Sequence, residues 1–201
     1  MKKNYLLVLF FISIFFTSFS QQTELSLKSG KFLINHEYDL DFSDDKFRLI
    51  LFEEIPDNSD KLLLTNYGID FIDYLPSRFF IVSFSKNINT QVLEEKGILS
   101  VNKILPDYKI DFKLRDGSFP EWSFKDNLLH IKVLLYKNIQ ISNEISMLED
   151  FSENISDVNY SSNTVTISIN PKDLNLISEL SFVFYIEPID PPGEPENYSG
   201  R

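Results

Sequence analysis

One order of secondary-structure patterns is written twice along this chain, and that duplication limits the folds open to it more than any other feature. From Lys46, "KFRLILFEEI" alternates Phe47, Leu49 and Leu51 with their neighbours at strand period. "DNSDKLLLTNYG" then opens on polar capping residues, carries an apolar face and stops at Gly68, the signature of a short helix. "IDFIDYL" and "RFFIVSF" are β-rich runs across a short turn, "NTQVLEEKG" is a second capped helix ending at Gly97, and "ILSVNKIL" is a closing strand.

The same order returns as "LLHIKVLLY", "SNEISMLEDFSEN", "ISDVNY", "TVTISI", "NPKDLNLISEL" and "SFVFYIEPI", with Pro171 at the first position of the last helix. Phe47 matches Leu129 and Val101 matches Ile186, so the copies keep step within about three residues. This order predicts an α+β fold of two tandem ferredoxin-like βαββαβ modules, at residues 46–112 and 128–189, joined by a linker at 113–127. Thr23–Asn35 alternates around Ser29-Gly30 and predicts a small β-hairpin, which with the acidic "HEYDLDFSDD" fills residues 21–45.

Residues 1–20 carry Lys2 and Lys3, an apolar run from Tyr5 to Phe16, and small residues at Ser18 and Ser20. That is the pattern of a cleavable export signal, and the run is shorter than the roughly 20 residues a membrane-crossing helix needs. The mature chain is expected to start at Gln21, to be secreted, periplasmic or surface-bound, and to leave the membrane after cleavage. At net charge -11, and more acidic once Lys2 and Lys3 go, its surface repels nucleic acid. With no cysteine it has no disulfide, thiolate or cysteine metal site.

Neither histidine, His36 nor His130, stands in a metal-spaced cluster, and with six glycines there is no phosphate loop or nucleophile elbow. The aspartates Asp39, Asp41, Asp44 and Asp45 fail the calcium-loop pattern, which requires glycine where Asp44 stands and glutamate where Ile50 stands. The neighbouring carboxylates of Glu53 and Glu54, and of Glu94 and Glu95, point apart, so acid–base work is not expected of them. No metal, cofactor or catalytic residue is assigned. The sequons at Asn154, Asn159 and Asn197 are read as chance matches.

Two features call for a partner. Phe79, Phe80, Ile81 and Val82 run consecutively, so that strand needs cover on both faces, from the sister copy, the hairpin or another protein. Residues 190–201 form a Pro-rich extension, and extended peptide is what protease clefts and strand-adding partners bind.

A leader, "LKSGKF", a ferredoxin-like copy, "FPEW", and a second copy closing on "FYIEPIDPPGEPENYSGR" together resemble the amino-terminal propeptide region of secreted Bacteroidetes subtilisin-like serine proteases, the S8 family. The resemblance implies an intramolecular chaperone and inhibitor, monomeric, whose partner is a subtilisin-like catalytic domain in cis or in trans. It implies that Pro188, Ile189, Asp190, Pro191, Pro192, Gly193 and Glu194 lie in the substrate cleft, and that Phe79, Ile81, Val165 and Ile167 face the protease. The catalytic motifs of that family are absent, so the chain is expected to be either a precursor fragment or a standalone relative. The alternative is a secreted structural or adhesion module that assembles with itself or with a surface partner.

Overall fold

A computed structural model describes residues 21–43, 46–85 and 89–193; the predicted leader, Asp44, Asp45, Asn197 and Glu194 onward lie outside the described residues. The protein is α+β, with short helices on antiparallel sheets. Strands β1 (Gln22–Leu27) and β2 (Gly30–Asn35) form the hairpin, turning at Lys28-Ser29. Next come β3 (Phe47–Phe52), α1 (Asn58–Asn66), β4 (Ile69–Leu75), β5 (Phe79–Phe84), α2 (Thr90–Glu95) and β6 (Ile98–Asn102). Helical turns α3 (Pro106–Lys109) and α4 (Phe112–Arg115) and strand β7 (Phe124–Lys125) lead to the second copy. That copy comprises β8 (Leu128–Leu135), α5 (Ile141–Glu149), β9 (Ser152–Asn159), β10 (Thr164–Ile169), a 3-10 turn (Pro171–Asp173), α6 (Leu174–Glu179) and β11 (Val183–Pro188).

Local chemistry sets these boundaries. Asp57 caps α1 by accepting from the Asp60 amide at 2.8 Å, and Asn89 caps α2 through the Gln91 amide at 2.9 Å. Gly68 and Gly97 end the two helices at φ +93° and +67°, a region that glycine enters without a Cβ clash.

The first sheet runs β4-β5-β3-β6 and the second β11-β8-β10-β9, all antiparallel, with β7 paired to the start of β8. In each, the unit's first strand lies between its third and fourth, and its second strand is at an edge.

Two expectations change. The helix read through Asn154 ends at Glu149, and β9 starts at Ser152; two bulges in the β9–β10 pairing break the alternation that marks a strand. Residues 106–112, read as the end of the first module, and the opening of the linker read at 113–127 are structured with the second unit. Ile110 and Leu114 are buried in the second unit's core, and Ile110 bridges Ile186 in parallel. Residues 106–115 thus extend the second unit along the outer edge of β11.

Each sheet packs one face under its own helices. Ile50, Phe52, Phe80, Val82 and Val101 meet Leu64 and Leu93 in the first unit, with Tyr38, Leu40 and Phe42 of the acidic connection packed beside them. On the opposite face, Leu49, Leu51 and Phe79 lie under Leu25 and Ile34 of the hairpin, while Phe47 and Ile81 lie against Tyr136 of the second unit. Leu25 and Ile34 are at most 2% exposed. Each such side chain contributes roughly 1.5–3 kcal/mol, which is what holds a hairpin that would be marginal alone.

Candidate functional site

Where the hairpin and the two sheets meet, their sides do not close completely. They leave a cavity of about 420 Å³. Leu25 and Leu27 wall it from the hairpin, Leu49 and Ile81 from the first sheet, and Leu134 and Phe184 from the second. Its exposed lining residues mark the mouth: Lys28 at the hairpin turn, Tyr74 at 50% exposure, and Lys137, which pairs with Asp73 at 3.2 Å. Sequence reasoning missed this cleft, because it belongs to no single element.

The carboxy-terminal extension leaves β11 as ordered backbone. Pro188 pairs with Ile131, the Ile189 amide donates to the His130 carbonyl at 3.4 Å, and Trp122 Nε1 donates to the Ile189 carbonyl at 2.9 Å. Asp190 forms an ion pair with Lys132. Pro188 is buried, Ile189 half-buried, and Pro192 and Gly193 are exposed. The part of the extension free to meet a partner therefore begins after Asp190, at Pro191. The cause is the "FPEW" segment, whose indole reaches back to hold Ile189.

The apolar residues expected to face a protease are placed otherwise. Phe79 is 0% and Ile81 5% exposed, covered by the hairpin and by Tyr136. Val165 and Ile167, both 0% exposed, point to the second unit's own helices. The opposite face of that sheet carries His130, Lys132, Thr164, Thr166 and Glu187, and it is polar except where Leu134 and Tyr185 border the cleft. Away from the cleft it needs no apolar cover.

The histidines serve the sheets. His130 Nδ1 lies 2.8 Å from Ser168 Oγ, and His36 Nε2 lies 2.9 Å from Thr23 Oγ1. A serine–histidine contact invites a catalytic reading, but Ser168 is 4% exposed in mid-strand and neither residue borders the cleft. Asp39 and Asp41 turn their carbonyls onto Arg48, and no cluster suited to a metal ion occurs among the described residues. Glu53, Glu54, Glu94 and Glu95 are exposed, as is Asn154 on the edge strand β9; the Asn159 side chain accepts from Ser161.

Around β11, Tyr185 donates to Asp111 at 3.0 Å; burial, with that carboxylate beside it, pushes the phenol far up. Burial also pushes the Glu187 carboxyl up, against the pull of Lys28 and Lys132 and with the push of Asp111 and Asp190. Such a group holds its proton more tightly folded than unfolded. Its contribution to stability is full below the unfolded value and is lost as pH rises through the raised folded value. Glu187→Gln is accordingly expected to raise stability near pH 7 and to change it little near pH 4. Urea unfolding at both pH values checks this, and a variant less stable than the parent near pH 7 contradicts it.

A family described as a domain of unknown function (DUF8729) matches residues 18–106, which takes in the hairpin and the first βαββαβ unit and stops where α3 begins. No curated protein and no solved structure matches the chain. No helix among the described residues is long and apolar enough to cross a membrane.

Proposed function

We propose that the chain consists of two ferredoxin-like modules and serves, after export and removal of residues 1–20, as a propeptide-like chaperone and inhibitor of a secreted subtilisin-like serine protease. Support for the modules is the strand order shared by the two sheets, first strand between third and fourth. The observation that supports the inhibitory role is the backbone issuing from β11: extended and anchored through Asp190, then exposed where it turns at Pro192-Gly193. A protease cleft binds substrate as an extended strand, and a segment whose entry through residues 188–190 is held in that shape beforehand loses less entropy on binding. Proline at positions 191 and 192 restricts it further. In this reading the extension makes the principal contact, since Phe79, Ile81, Val165 and Ile167 are already covered.

The test compares slow-binding inhibition of a subtilisin-like endopeptidase by the full chain and by a variant ending at Asp190, which retains the Trp122 and Lys132 anchors. Deletion is expected to weaken inhibition at least about tenfold, or ~1.4 kcal/mol. Absence of inhibition by the full chain overturns the reading; equal inhibition by both removes the role of the extension. The alternative, a self-assembling surface module, draws on exposed apolar residues such as Leu62, 67% exposed on α1. Sedimentation velocity separates the two, with a monomer expected of the inhibitor.

A further inference from the structure

We propose that the cleft between the hairpin and the two sheets is a binding site for a medium-chain aliphatic carboxylate, its hydrocarbon tail among Leu27, Leu49, Ile81 and Leu134 and its carboxylate on Lys28. Four observations carry this. The cavity, about 420 Å³, falls in the range of small-molecule sites, roughly 300–1,000 Å³. Its walls are aliphatic and aromatic side chains from three separate elements, so its shape is set by how those elements dock and is already formed before a ligand arrives. At the mouth, Lys137 is balanced by Asp73 at 3.2 Å, whereas Lys28 makes no ion pair among the described residues. Burial raises the pKa of Glu187, the carboxyl group that feels the charge of Lys28.

A cation without an ion pair among the described residues, at the opening of an apolar cleft on a chain of net charge -11, selects a ligand with an apolar body and a single anionic end. A polyanion would be repelled by the rest of the surface. An extended peptide would have to leave its backbone amides unpaired against aliphatic walls.

Dodecanoate, below its micellar concentration, is titrated calorimetrically into the full chain. Saturable one-to-one binding in the micromolar range is expected. Lys28→Glu, at an exposed position, is expected to weaken dodecanoate at least about tenfold while leaving dodecanol unchanged. Leu134→Trp and, independently, Leu27→Trp fill the cleft and are expected to abolish binding while far-UV circular dichroism stays at the parent value. No saturable binding overturns the proposal, as does unaltered binding by the folded tryptophan variants or an equal loss of dodecanol with Lys28→Glu. A concentration-dependent dimer that excludes dodecanoate would assign the cleft to a second copy and also overturn it.

Discussion

Phe47→Ala is expected to lower stability by ~3–5 kcal/mol and to divide one cooperative unfolding transition into two. Phe47 is 1% exposed, and its ring stacks on Tyr136 with centroids 3.8 Å apart and planes 15° from parallel. Tyr136 in turn meets Phe184 edge-on at 5.4 Å. These rings, with Ile81 and Ile139, make the apolar junction between the units. Phe47 opens β3 of the first unit, whereas Tyr136 and Phe184 belong to the second, so the cavity left by truncation falls between them and not within either. A void there cannot close without moving one whole sheet, which places the loss toward the upper end of the range for large-to-small changes. Trp122, the single tryptophan, sits in the second unit, so its fluorescence follows that unit while circular dichroism follows both. In urea the two signals are expected to coincide for the parent and to separate for Phe47→Ala. Coincident transitions with a loss below about 1 kcal/mol would refute the junction's role.

Arg48→Ala is expected to cost about 3–5 kcal/mol, far more than Arg48→Met. The side chain is 1% exposed on the helix-side face of β3. It donates to the carbonyls of Phe47 at 2.7 Å, Asp39 at 3.4 Å and Asp41, lies 4.0 Å from the Asp39 carboxylate, and stacks 4.8 Å over the Phe42 ring. Truncation to alanine orphans the carbonyls of the acidic connection and opens a cavity together. Methionine keeps most of the volume and forfeits only the polar contacts. Phe42 also stacks on Phe84 at 4.6 Å, so releasing the connection uncovers part of the first core. Faster proteolysis within residues 36–43 is expected to accompany the lowered urea midpoint. A loss for alanine no larger than for methionine would show that the carbonyl contacts carry no stability.

The elements were legible because their signals are local. Alternation at Phe47, Leu49 and Leu51, caps at Asp57 and Asn89, and stops at Gly68 and Gly97 depend on residues a few positions apart. The strand expected at residues 155–160 is present as β9, but its start at Ser152 was not legible because two bulges shift its side chains between faces. Arg48 was overlooked, although an arginine inside the apolar run "FRLILF" signals a buried charge in need of partners. Val165 and Ile167 held a clue too. They alternate with Thr164, Thr166 and Ser168, and a strand with one apolar stripe needs only its own helices. Phe79 to Val82, apolar on both faces, does need a second cover, and local pattern is silent on which of three candidates provides it.

The order of strands and helices, its duplication and the need to cover both faces of β5 were determined by residue pattern alone, because period and capping are properties of neighbours along the chain. Tertiary structure alone decided that the hairpin and Tyr136 provide that cover, that residues 106–115 join the second unit, that Trp122 ties down Ile189, and that a cleft remains. Each of these is a contact between segments remote in sequence. Apolar attraction is non-directional, so a pattern states that a surface must be buried, and only the shapes of the docked pieces select what buries it.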